Sequence, residues 1–149
     1  MKSDFGEMEE KILDICETDT RYAADAYFFM NEALAATVDD IVRTEGKPRH
    51  LSGAELCNGL KKHSLKQFGP FADLVLDTWG IHATSDFGEI VFNLITVGIL
   101  AKTPSDRKED FASVYDFRDA FVAPYLPKSN LRAIRRSVKA MNGSSFSGF

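Results

Sequence analysis

The residues of this chain best suited to metal or nucleophilic chemistry are His50, His63, His82, Cys16 and Cys57. Their spacing argues against both uses. A helical or finger-type metal site needs ligand pairs about three to five residues apart, and no two histidines stand so close. The cysteines lie in separate segments and lack the short spacing of a redox or zinc motif, so reduced, buried thiols are expected. Ser52 or Cys57 beside His50 is the one arrangement with the elements of a nucleophile and base. Ser52, however, stands where a helix needs its N-cap, and Cys57 falls within that same helix. Asp86-Phe87-Gly88 repeats three letters of the kinase magnesium loop without the Gly-rich and catalytic loops that give those letters meaning. No catalytic residue, metal or cofactor is therefore assigned, and the protein is expected not to be an enzyme. A small hydrolase or transferase would instead show a deep pocket holding His50 or His63 beside Cys57 and a carboxylate.

Binding is the class of function that remains. Arg21, Tyr22, Tyr27, Arg49, His50, Trp79 and Glu89, with Asp25 nearby, are polar or aromatic residues at predicted loop and helix-end positions, where binding surfaces are often built. The competing expectation is structural: Arg49 pairs with Glu55 or Glu89, and the aromatic residues close the junction between two halves of the molecule. A second set, Lys102, Arg107 and Lys108, could meet an anionic partner, although Asp106, Glu109 and Asp110 are interleaved with it. Arg132, Arg135, Arg136 and Lys139 form a third, in the tail.

These residues must be positioned by elements that hydropathy periodicity makes readable. The 149-residue chain is the length of one domain, 44% hydrophobic and 27% charged, far from the composition of disordered chains. A core of that size buries roughly 70% of the surface of the unfolded chain, so no disulfide is needed. A short helix over 8–16 precedes a long amphipathic one over about 23–45, ended by Gly46 and Pro48. Ser52 with Glu55 is a capping box, and Leu51 with Leu56 a hydrophobic staple, for a helix to Phe68. Gly69 stops it, Pro70 starts the next, and Gly80 ends that one.

A fifth helix over about 86–97, capped by Thr84, Ser85 or Asp86, is apolar round most of its circumference and so should be central and nearly enclosed. Its polar residues, Asp86, Glu89, Asn93 and Thr96, line up as one narrow stripe. Residues 99–103 and 111–115 are predicted to pair as two short strands, with Asp116 capping a short helix through Ala120. The expected fold is mainly α: a multi-helix domain over 1–127 with a winged-helix-like three-helix core and a small two-stranded β-hairpin over 51–115.

Several phrases occur in order along the chain: Thr20-Arg21-Tyr22, Asp25-Ala26-Tyr27, Arg49-His50-Leu51-Ser52-Gly53, Gln67-Phe68-Gly69-Pro70, Trp79-Gly80-Ile81, Asp86-Phe87-Gly88-Glu89-Ile90-Val91-Phe92-Asn93 and Tyr115-Asp116-Phe117. Together they resemble a family of small uncharacterised bacterial proteins, the Minf-type family, over most of 12–121. The resemblance implies a compact domain. It brings no substrate, cofactor or catalytic residue.

Charge is unevenly distributed. The net charge is −4, yet residues 1–19 hold seven acids and two bases, whereas 128–149 hold five bases and no acid. In that tail Leu131, Ile134, Val138 and Met141 recur at helical spacing among the four bases named above, before a Gly/Ser-rich end expected to be disordered. A basic amphipathic helix of this length is marginal alone and must dock: on the acidic N-terminal segment of the same chain, the expected site, or else in a protein groove or on an anionic surface. Four acids in the first ten residues do not fit a leader, and the most apolar stretch, 90–101, is too short to cross a bilayer, which predicts a cytoplasmic protein without membrane insertion.

The functional expectation is a protein-interaction or adaptor module. The alternative is a winged-helix nucleic-acid regulator that uses the hairpin and the tail. It is disfavoured for the body because the candidate recognition helix carries two carboxylates and no Lys or Arg.

Overall fold

Five α-helices carry the fold in the computed structural model, which describes residues 4–102, 106–127 and Lys139. They are α1 (Asp4–Thr18), α2 (Ala24–Glu45), α3 (Gly53–Phe68), α4 (Ala72–Thr78) and α5 (Thr84–Thr96). Short 3₁₀ turns lie at Gly69–Phe71, Lys108–Phe111 and Ala123–Tyr125, and a π-helical turn lies at Arg118–Val122.

Local chemistry explains the boundaries that sequence predicts well. Gly46 ends α2 at φ +86°, its amide donating to the Val42 carbonyl. Ser52 Oγ accepts from the Glu55 amide and Glu55 returns a bond from the Ser52 amide, both at 3.1 Å, so the capping box forms as predicted. The first helix runs longer than predicted at both ends. The fifth begins at Thr84 rather than Asp86. Its cap also differs: the Asp86 carboxylate reaches back to accept from the His82 and Ala83 amides, while Thr84 turns inward.

The predicted β-hairpin is absent, and with it the wing: no strand occurs among the described residues. The backbone groups that a ladder would use are already committed. Gly98 takes φ +82°, and the Ile99 and Leu100 amides fold back to the Leu94 carbonyl, closing the end of α5. On the other side Phe111 ends a 3₁₀ turn, and the buried Thr84 hydroxyl donates to its carbonyl at 2.6 Å while accepting from the Val114 amide at 3.1 Å. Short runs with β-branched and aromatic residues suggested strands, but helix closure and one buried hydroxyl outcompete them. The short helix expected after Asp116 starts directly behind it, with the Arg118 amide donating to Asp116 Oδ1 at 3.4 Å, but it winds as a π-helical turn at Arg118–Val122.

The core is one cluster of buried side chains from Ile12 to Phe121, with α5 at its centre: Phe87, Ile90 and Leu94 are fully enclosed. Close approach depends on glycine at several places, Gly88 and Gly80 among them. A Cβ on Gly88 would lie 2.9 Å from the Phe111 ring, so a side chain there would displace the 3₁₀ turn from α5. At Gly80, φ is +91° and a Cβ would lie 2.1 Å from the Arg21 carbonyl oxygen. Only glycine lets the 79–81 turn meet the loop before α2, where the Ala23 amide donates to the Trp79 carbonyl. No helix among the described residues is long and apolar enough to cross a membrane. Thr103 and the predicted turn residues 104–105, and the tail residues Arg132, Arg135 and Arg136, lie outside the described residues, whereas Lys139 is described and exposed.

Candidate functional site

The two sides of α5 are built for different purposes. Its polar stripe faces the loop between α1 and α2. Tyr22 OH donates to Asp86 Oδ1 at 2.5 Å, and Asn93 Nδ2 donates both to Asp19 Oδ2 at 2.9 Å and to Tyr27 OH at 3.0 Å. Asp19 and Arg21 meet through two parallel bonds of 2.9 and 2.6 Å. Glu89 lies between Arg21, at 3.7 Å, and Lys108, at 2.8 Å. The fourth residue of the stripe, Thr96, bonds back to the Phe92 carbonyl.

The Arg21 guanidinium, helped by Asn93, holds the Asp19 carboxyl well below the usual carboxylate range. Burial, then the bond to Asp86, pushes the Tyr22 phenol well above its ordinary value. Arg21, Tyr22, Tyr27 and Glu89 are thus brought together, but as members of a closed polar seam. Asp19, at its centre, is missed by sequence reasoning. Its signal was its place two residues before Arg21.

Trp79 belongs to a separate aromatic cluster, with ring centroids 5.4 Å from Phe29 and 5.6 Å from Phe68. Phe29 also packs on His63 at 5.2 Å, in keeping with a core role for that histidine. Asp25 is exposed in the first turn of α2.

Val91 and Ile95 lie on the opposite side of α5 from Asn93 and Asp86, by the helical periodicity of 100° per residue. With Leu34 and Val38 of α2, Leu51 and Leu56 around the start of α3, and Phe92 and Leu100, they line a cleft of about 250 Å³. Most of this lining is half-buried rather than buried. Phe111 forms part of the wall, and Arg49, His50, Asp106, Arg107 and Asp110 stand at the rim.

Arg49 pairs with Glu45 at 2.8 Å and Glu55 at 2.6 Å, joining the end of α2 to the start of α3. It does not reach Glu89. Arg49 and the Ser52 amide bring the Glu55 carboxyl down to about 2. His50 Nε2 and Asp106 Oδ1 lie 2.8 Å apart. Lys102 and Lys108 approach the Phe92 ring at 5.7 and 5.9 Å. Arg107 is exposed, and its guanidinium makes no ion pair with a described residue. Lys102, Arg107 and Lys108 therefore gather round one end of the cleft, with Lys108 already held by Glu89.

The thiols stand apart from this site. Cys57 is fully buried in α3 and burial pushes its thiol up to about 12. Burial, with the nearby Asp19 charge, also raises Cys16. Among the described residues no group of three or more His, Cys, Asp or Glu is arranged to hold a metal ion. What the cleft can do is hold an apolar group, with a cation at the mouth to meet an anionic one. Sequence periodicity gave the helices over 23–45 and 86–97 their apolar faces, to which Leu34, Val38 and Ile95 belong, but could not show that those faces meet incompletely.

Comparison of the chain with protein-family models, curated proteins and solved structures finds no match.

Proposed function

We propose that the protein is a non-enzymatic, cytoplasmic binding module whose cleft between α2, α3 and α5 takes a bulky apolar side chain from an acidic segment of a partner protein. The observation that carries this reading is the half-buried apolar lining with Arg107 at its mouth, without an ion-pair partner among the described residues. At about 250 Å³ the cleft falls below the roughly 300–1,000 Å³ typical of pockets for small molecules and cofactors. One or two side chains of a peptide suit it better, with main-chain and flanking contacts lying along the rim. A carboxylate two to four positions away on such a peptide would meet Arg107 at partial desolvation, where a charged pair adds specificity.

The polar stripe of α5 weighs against the nucleic-acid reading. Its donors and acceptors are engaged by Tyr22, Tyr27, Arg21 and Asp19, leaving little to read base edges. The resemblance to the Minf-type family, taken as a proposal of kinship, adds no activity.

The test is a selection of random peptides against the full chain, followed by anisotropy measurements on the winners. Enriched sequences should share an aromatic or large aliphatic residue with a nearby Asp or Glu. Val38→Asp, at a partly exposed lining position, should weaken binding by about tenfold or more, and Arg107→Glu by several-fold. Peptides that bind Val38→Asp as tightly as the parent would remove the cleft from the mechanism.

A further inference from the structure

Three of the five large apolar residues exposed among the described residues collect beyond the end of α3, whose start lines the cleft: Phe71 at 66%, Leu74 at 62% and Tyr125 at 45%. Phe71 and Leu74 are three residues apart and therefore share a face of α4 and the turn that leads into it. The Tyr125 hydroxyl lies 3.9 Å from where a Cβ on Gly69 would stand, which places it beside the same turn. Asp73 and Asp77 lie on α4 too, the latter 2.9 Å from His82 Nδ1, and that helix carries no base. An exposed apolar face edged by acids is unusual on a lone surface and calls for a cover.

We infer that residues 128–141 of the same chain are that cover, with Leu131, Ile134 and Val138 laid on Phe71, Leu74 and Tyr125, and Arg132, Arg135 and Arg136 set against Asp73 and Asp77. Two observations select this occupant. The tail pattern joins an apolar stripe to a purely basic remainder, the complement of an apolar face edged by carboxylates. Pro127 stands two residues beyond Tyr125, and four further residues can span about 13 Å, so Leu131 reaches the face without a detour.

The acidic helix α1, the site expected from charge alone, is the poorer match. The π-helical turn after Phe117 packs on α3 and α4 and carries the Ala123–Tyr125 turn, and Leu13 is the large apolar residue that α1 exposes among the described ones. One leucine cannot seat a three-residue stripe. A segment of this length is a marginal helix in water, and docking supplies the burial that it lacks.

Limited trypsin digestion of the full chain, read by mass spectrometry, tests the assignment because Arg132, Arg135 and Arg136 are themselves cleavage points. The double variant Phe71→Ser/Leu74→Ser changes only exposed side chains. It should raise cleavage at those arginines about tenfold or more, as should about 1 M salt, where screening acts within about 3 Å. Equal rates in parent and double variant overturn the proposal. So does faster cleavage in Leu13→Asp with none in the double variant, which would place the tail on α1.

Light scattering decides between one chain and two. A parent dimer that the double variant converts to monomer would make the face a self-association surface instead. In a Leu74→Cys/Ile134→Cys variant, an oxidised monomer with a bond between the two new cysteines supports docking within one chain, and a bond between copies refutes it. Peptide binding at the cleft should not change in any of these variants, so this test and that of the cleft fail separately.

Discussion

The two faces of α5 start from opposite material, one polar and one apolar, and only the apolar one is left unfilled. On one, each carboxylate and amide of the stripe finds a partner across the α1–α2 loop, and the surface is consumed in holding two segments together. On the other, apolar side chains from three helices meet over an incompletely filled space with charges at its edge. Polar residues on a helix are therefore no guide to where a protein binds. A satisfied polar group is structural, and a half-buried apolar one is available.

The seam and the cleft should respond differently to substitution, and Phe111 is where they share support. It packs on Gly88 and walls the cleft. Phe111→Ala should cost about 3–5 kcal/mol in urea unfolding and abolish peptide binding as well. A loss below about 1 kcal/mol would mean that the 3₁₀ turn is an accessory to the core rather than part of it.

Next come changes confined to the seam. Asp86→Ala removes the acceptor for Tyr22 OH and for the His82 and Ala83 amides, and should cost about 2–3 kcal/mol. Asn93→Ala, which leaves Asp19 and Tyr27 short of a donor, should cost about 1–2 kcal/mol. Neither should weaken a cleft-binding peptide by more than about twofold among folded molecules. A large binding loss in Asn93→Ala would show that the faces are coupled.

A smaller effect is expected from pH. Asp19 is held well below its ordinary value in the folded chain, so its contribution is present above the unfolded pKa of roughly 3.9 and is lost as pH falls through the lower folded value. Melting temperature should therefore drop as the protein is acidified below about pH 5, with Glu55, brought down to about 2, adding to the slope. Asp19→Asn should flatten that dependence while lowering stability at neutral pH. An unchanged slope would remove Asp19 from the linkage. Smallest of all, Val38→Asp should alter stability by no more than about 0.5 kcal/mol although it disables the cleft.

Much of the helical layout was legible because its signals are local. Gly46, the Ser52/Glu55 capping box and Gly69 act over one turn of chain, and the three- and four-residue apolar spacing of α2 and α5 needs no knowledge of neighbours. The 99–115 segment misled for the opposite reason. Its β-branched and aromatic residues suit strands, but the decision lay with Thr84 and Leu94, which capture its backbone groups. The candidate site was half legible: Arg49, His50 and Arg107 were singled out, but as isolated polar residues, without Val38, Ile95 or Leu100.

From its residues alone this chain determined that it would be helical, where most helices begin and end, and which helix would be central. Those outcomes follow from periodicity and capping, whose energies act within a few residues. Tertiary structure decided that the stripe of α5 is spent on Tyr22, Asp19 and Arg21, that the cations after α5 gather round Phe92, and that a gap remains between three apolar faces. Whether a polar group is satisfied, or an apolar surface filled, depends on distances between segments far apart in the chain, and spacing along the sequence carries no record of them.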